Sequence, residues 1–462
     1  MKKLISLLLC LVFIVTAFAA CNKEEDPPEI PSSDIGETPE QPDESDPEDS
    51  GSTPDPEQIP DPLPEPVDPI DPDSLTLTKT YKPDSNALLS SYADYDSDVF
   101  HGVCQHYYDA GYELYGQSEI NNNLFATFTK GGALAHVYWI EKLCELNIVT
   151  DIQGANALPP MDEEVTGDIP TSVTQLQQKT SQTSGMSYIV QLSDGSFIIY
   201  DGGYADTVNE MMNTLKKLNG DKDEIHIRAW LITHSHDDHY SCFSQFANIY
   251  KRYKLNVKLD RLLIAPVNDN EARPLEKADS PYLSEIVHTD IKQFEGAQIC
   301  YVYTGMVFNI CNVNLEILLT PDDLFIDGGI TYFNETSIVS RISSADPEGS
   351  GETLSMIFLG DAGNEVAKKL MFYYESELRT DMVQISHHGV ENFPLLGYQT
   401  IRASILFYPC NMDLYSGKTG AGRDEVVRIA LKSYPYTKEI LLRDNEQYKR
   451  YFNPTLNEGL SS

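Results

Sequence analysis

Residues 227–240, IRAWLITHSHDDHY, restrict the fold of this chain more than any other stretch. A largely apolar run of the kind that forms a buried strand passes without a spacer into a loop holding three of the chain's ten histidines and two aspartates. His234 and His236 are two apart, so in extended backbone both imidazoles project to the same side. Asp238 and His239 enter a helix start, where neighbouring side chains diverge by about a quarter turn and can serve a second ion. Nitrogen and carboxylate donors at this density suit zinc or a similar first-row metal, with ligands roughly 2.0–2.2 Å from the ion. The bland alternative is a polar loop with incidental histidines. Three imidazoles so close together would repel when protonated and gain nothing structurally, which favours a metal.

The surrounding pattern is that of an α/β domain. MSYIVQL and FIIYDGG read as a hairpin turning at Asp194-Gly195, ADTVNEMMNTLKKLNG as an amphipathic helix stopped by Gly220, and SCFSQFANIYKRY as the helix after the histidine loop. Further strands are read in LDRLLIAPV, AQICYVY, NLEILLT, TSIVSRIS, TLSMIFLGD, DMVQIS, SILFYPC and KEILLR, with helices at NEVAKKLMFYY and RDEVVRIALKSY. Hairpins early and late with helices between them imply two sheets packed face to face with helices outside. Residues 79–168 mix a helical stretch with strands around a KGG turn and read as a small α+β subdomain.

HSHDDH fits HxHxDH, and through it the chain resembles the metallo-β-lactamase superfamily. The resemblance extends to Asp201 in FIIYDGG, Asp361 in IFLGD, and the histidines of QISHHG, and it covers roughly residues 170–445. It implies an αββα four-layer sandwich over residues 169–462, preceded by the small subdomain. It also implies a metal-ligand set of His234, His236, Asp238, His239, Asp361 and His388, with Asp361 bridging two ions. Consecutive residues leaving a strand point oppositely, so His387 and His388 are not expected on one ion; the family pattern selects His388. His387 and Asp201 are then supporting residues that orient ligands by hydrogen bonds. The further histidine that most members supply between the HxHxDH loop and the GD strand is missing; that interval holds only His288, in an inserted helix, and YFNETSIVSRI where the ligand would be sought. The NETS, GD and SHHG arrangement is similar to the metallo-β-lactamase-type domains of DNA-uptake competence proteins.

The amino terminus, MKKLISLLLCLVFIVTAFAAC, has two lysines, a short apolar run and small residues before Cys21. Its ending resembles the lipobox of bacterial lipoproteins, which implies a signal peptide at 1–20 and a lipidated Cys21 at the outer face of the cell membrane. Residues 21–78 then read as a disordered linker, since 22–74 hold 14 prolines, 19 acidic residues and one lysine. Of the net charge of −38, that stretch carries −18 and the two leading lysines +2, leaving −22 on the body. An acidic body argues against long nucleic acid as a partner. Cys104, Cys144, Cys242, Cys300, Cys311 and Cys410 form no CxxC pair and read mostly as inert thiols.

These features together lead to the expectation of a cell-surface, metal-dependent hydrolase of small-molecule or cell-envelope substrates. Phosphodiesters are favoured, attacked by a hydroxide held by two zinc ions, with manganese or iron as alternatives. Asp238 and His388 are the expected catalytic residues. Tyr240, Glu391 and Asn392 adjoin ligands and are candidates for substrate contact, and Gly417, Gly420 and Gly422 for a loop at the rim. The rival readings are hydrolysis of an ester, thioester or lactam on the same metals, and an envelope-binding protein with a degenerate site.

Overall fold

The computed structural model describes residues 67–162, 167–177, 184–265, 267, 274–275, 284–330, 332–344, 353–390, 393–418, 425–443 and 447–460. The signal segment, Cys21, most of the acidic linker, Glu391, Asn392, Gly420 and Gly422 lie outside the described residues. Residues 67–78 are described, and Ile70 already joins the body ahead of the expected boundary at 79. Its N–H donates to Gly102 O at 2.9 Å, and its side chain packs beside Gly102, because Ile70, like Leu75 after it, finds an apolar face to cover.

The subdomain is a six-stranded antiparallel sheet of β1 (Lys79–Tyr81), β2 (Ala87–Tyr92), β3 (Glu113–Ile120), β4 (Asn123–Lys130), β5 (Ala133–Ile140) and β6 (Glu145–Asp151), in the order β1-β2-β6-β5-β4-β3. Alternation along its strands makes two apolar faces. Ala126, Phe128, Val137, Trp139 and Ile148 meet Val99, Phe100, Val103 and Tyr107 of α1 (Ser97–Asp109). Phe125, Leu134, Tyr138 and Val149 point the other way, into the core of the following domain. Asn121 and Asn123 donate their amides to Tyr373 O across that boundary, at 2.8 and 2.7 Å.

Two seven-stranded sheets follow. One contains β7 (Ser172–Gln175), β8 (Ser187–Gln191), β9 (Phe197–Asp201), β10 (Ile225–Leu231), β11 (Val257–Ile264), β12 (Gln298–Tyr301) and, from the far end of the chain, Tyr448–Tyr451 beside β7. The other runs β13 (Val307–Ile310), β14 (Val313–Leu319), β15 (Val339–Ser344), β16 (Ser355–Phe358), β17 (Met382–Gln384), β18 (Ile405–Tyr408) and β19 (Glu439–Leu442) in sequential order. Tyr188, Val190, Ile198 and Tyr200 of the first meet Ile317, Ile342, Phe358 and Phe407 of the second, and the Tyr200 and Phe358 rings stack at 3.6 Å.

The alternate residues Ile189, Ile199, Trp230 and Leu262 face outward, against α2 (Val208–Asn219), α3 (Asp237–Tyr253) and α4 (Ser284–Ile291). α5 (Asn364–Tyr374), α6 (Leu395–Ile401) and α7 (Glu425–Ser433) cover the opposite sheet through Leu370, Tyr398 and Leu431. The result is the αββα four-layer sandwich with its preceding α+β subdomain. β9, β10 and β11 are mutually parallel, as are β16, β17 and β18, so their carboxyl ends gather along one edge of each sheet. In open parallel sheets that edge is where ligands bind.

Candidate metal centre

Every residue of the centre follows the end of one of those parallel strands. Asp201 closes β9, His234 and His236 leave β10, Asp361 follows β16, and His387 and His388 follow β17. His236 occupies the N-cap of α3, which places Asp238 in the first turn, where the helix dipole favours an anion. The turn carrying Asp361 needs a glycine before it. Gly360 has φ +56°, and a Cβ there would come within 2.9 Å of both Thr233 and Ser337. Gln384 clamps the same turn, its Oε1 accepting from Leu359 and Gly360 N–H at 2.7 and 2.8 Å while its Nε2 donates to Gly360 O at 2.9 Å.

The imidazoles are oriented by their outer nitrogens. His239 Nδ1 donates to Asp201 Oδ2 at 2.7 Å, and Asp201 is itself held by Thr233 N–H and hydroxyl at 2.7 and 2.8 Å. His388 Nδ1 lies 3.1 Å from Pro409 O, and His234 Nδ1 lies 3.3 Å from Ser337 Oγ. Each contact leaves Nε2 facing the centre. There His239 Nε2 stands 3.1 Å from Asp361 Oδ1, and His388 Nε2 stands 2.9 Å from Asp238 Oδ2. Asp361 Oδ2 is 3.8, 3.7 and 3.8 Å from the Nε2 atoms of His234, His388 and His387. His234, His239 and Asp361 form one cluster of potential ligands and Asp238, His239 and His388 a second, the donor atoms within each lying within 4.8 Å of one another.

Burial alone would neutralise these carboxylates, but His388 and His239 outweigh it at Asp238, and His239, His388 and His387 do so at Asp361; both stay ionised well below the usual range. The reverse holds for the bases. Burial opposes charge on His239 and His388, yet Asp361 and Asp238 raise both above the ordinary histidine value, joined at His239 by Asp201. His234, desolvated and beside two other imidazoles, is pushed well below it and is a neutral donor. The residues fit a pair of divalent cations. His239 Nε2, His388 Nε2 and Asp361 Oδ1 are buried with no aligned hydrogen bond, and a metal uses the lone pairs that protons otherwise neutralise.

Sequence reasoning is corrected at three positions. His387 and His388 do not leave β17 in extended backbone; both are left-handed, at φ 47° and 56°, so the rings are not opposed but splay with centroids 6.0 Å apart. His387 does not orient His388, whose contacts run instead to Pro409 O and Gly185 N–H; its own Nε2 lies 3.1 Å from Asn334 Nδ2. Tyr240 is fully buried and donates to Asp290 at 2.9 Å, so it faces the helix layer rather than a substrate. His236 adjoins the first cluster without being among its three members. Its Nδ1 is 2.9 Å from His234 Nε2, and its ring rests 5.0 Å from Phe333. His288 lies near Tyr301, away from the centre.

Thr233, Ser337, Asn334, Gln384 and Pro409 were not picked out from sequence. Only the NETS run, which contains Asn334 and Ser337, carried a usable signal. The described cysteines form no disulfide, and only Cys144 is exposed.

Residues 181–295 match the family model described as the metallo-beta-lactamase superfamily. That segment is metallo-β-lactamase-like. It holds Asp201 and the whole HxHxDH loop and ends before Asp361. No curated protein matches the chain. Solved structures similar to it include the metallo-beta-lactamase fold protein YhfI from Bacillus subtilis, at 10% identity and TM-score 0.36, covering 61% of this chain and 100% of that one. CmlA, a diiron beta-hydroxylase from Streptomyces venezuelae, aligns at 11% identity and TM-score 0.36 over 63% of this chain and 55% of its own. A diphosphatase from the PhnP family does so at 12% identity and TM-score 0.34 over 62% and 98%.

Proposed function

We propose that the chain is a metal-dependent hydrolase acting on phosphodiesters, tethered through Cys21 to the outer face of a bacterial membrane. The observation that carries the enzymatic part is the pair of ligand clusters that share His239, with Asp361 Oδ2 reaching to 3.8 Å from His234 Nε2 and 3.7 Å from His388 Nε2. Divalent ions held there would supply Lewis acidity and an activated water at neutral pH, and a pair of them suits in-line displacement at phosphorus. Asp361 sets the separation of the two clusters. Asp201 keeps the proton of His239 on Nδ1, so that Nε2 remains a donor of its lone pair. Asp238, ionised and the least buried member of its cluster, is placed to accept a hydrogen bond from the attacking water and orient it. Small phosphodiesters, including cell-envelope ones, suit the acidic body better than a long polyanion.

The test is a panel of chromogenic phosphodiesters, phosphomonoesters, thioesters and lactams, assayed with the metal-loaded protein. Turnover confined to phosphodiesters, and abolished in both Asp238→Ala and His388→Ala, is the expected result. Turnover of thioesters or lactams alone would transfer the reading to those substrates. Inactivity on every substrate after metal loading would leave a binding protein. For the anchor, Cys21→Ala is expected to release the protein into the medium, and unchanged membrane retention would refute the tether.

A further inference from the structure

We propose that Asn334 supplies the ligand that the missing histidine would have given, through its side-chain carbonyl oxygen, so that the first metal position is richer in oxygen and harder than a three-histidine site. This inference rests on the two-metal reading above. Asn334 lies in the short helical turn Phe333–Thr336, which is wedged against the first cluster. Phe333 packs on the rings of His236 and His234 at 5.0 and 6.2 Å. Ser337 touches His234 Nδ1 at 3.3 Å and accepts from Asp361 N–H at 3.0 Å. Asn334 therefore sits between residues that touch three members of the expected ligand set.

Its amide is half used. Nδ2 lies 3.1 Å from His387 Nε2, while Oδ1 is buried with no hydrogen-bond partner. A buried amide oxygen without a partner is costly, and native proteins rarely leave one so. Which end of an amide is oxygen is assigned from its surroundings. A cation at the first position would give that oxygen a partner. His387 then has a role consistent with its left-handed backbone. Its Nε2 accepts from the amide and fixes the rotation of Asn334. The ligands become His234, His239, Asp361 and the Asn334 carbonyl, two nitrogens and two oxygens, a set that favours manganese relative to zinc more than three imidazoles do.

The experiment measures metal content and affinity on the full-length protein, by elemental analysis after dialysis and by calorimetric titration with Mn2+ and Zn2+. Wild type is expected to hold two ions per chain. Asn334→Ala should hold one tightly and bind the second at least tenfold more weakly, and Asn334→His should shift the first position toward zinc. Asn334→Asp, nearly identical in shape, guards against misfolding of the alanine variant: its added charge should tighten the first ion. His387→Ala should weaken the same ion by a smaller factor and leave the second alone. Two ions of unchanged affinity in Asn334→Ala, or an unchanged first-site affinity in Asn334→Asp, overturns the assignment while the two-metal reading stands. A wild type that binds no divalent ion overturns both.

Discussion

Asp201 shows how much of the centre depends on a residue that touches no substrate. Its two oxygens take the Thr233 N–H and hydroxyl and the His239 Nδ1 proton, all in full burial. Asp201→Asn replaces one acceptor by a donor, and His239 can then adopt the tautomer with Nε2 protonated. The expected result is metal affinity lowered roughly 10- to 100-fold, with secondary structure by circular dichroism unchanged.

The same residues predict a pH dependence. His239 and His388 are raised above the ordinary histidine value in the metal-free protein, so their pairing with Asp361 and Asp238 stabilises that form fully below the unfolded-state histidine pKa. This contribution is lost as pH rises through the elevated folded values, so the thermal midpoint of chelator-treated protein should fall on going from neutral to alkaline pH. Metal must displace those protons, and titration at neutral pH in buffers of different ionisation enthalpy should report about two released per chain.

HxHxDH was readable at this scale because its donors lie within six residues. The conformation of His387 and His388 was not, since the left-handed turn depends on Gly360 O accepting from His387 N–H at 3.1 Å and on Pro409, both distant in sequence.

Among the elements, the β16-to-α5 turn is the most exacting. Its glycine is required by conformation and by space, and Gln384 of the neighbouring strand satisfies both N–H groups at its start. Gly360→Ala should destabilise the protein by about 1–3 kcal/mol, from left-handed strain together with contact against Thr233 and Ser337. Denaturant unfolding measures this, and the Asp361-dependent ion should be lost in the same variant. An unchanged midpoint would show that the turn tolerates a side chain. The strand and helix order was legible because each element carries its own period: alternate residues of FIIYD divide between the two faces of its sheet, and ADTVNEMMNTLKKLNG ends at Gly220, at φ 63°. Tyr448–Tyr451 was not recognised as a strand. YKRY has two charged residues in four, and it is held by pairing with β7, whose position the local sequence does not disclose.

At the scale of the whole molecule, the subdomain is part of the core rather than an appendage. Phe125, Leu134, Tyr138 and Val149 share one buried cluster with the sandwich, and the two asparagines bond to Tyr373 O. Each such side chain exposed by removing residues 67–168 costs about 1.5–3 kcal/mol. The remainder, 169–462, should therefore be insoluble or should bind hydrophobic dyes; a monomeric, cooperatively folding fragment would contradict that. Sequence reading set the two parts apart as patterns but gave no sign of their shared core, because Phe125 and its partners look like the inner face of any half-buried strand.

The central claim is that two ions sit where the strand ends of both sheets converge. Anomalous diffraction from crystals of the metal-loaded protein, collected on either side of the zinc and manganese absorption edges, tests this most directly. The account predicts two peaks about 3.5–4 Å apart, flanking Asp361, one beside His234 and the other between Asp238 and His388. A single peak, or peaks away from Asp361, would contradict it.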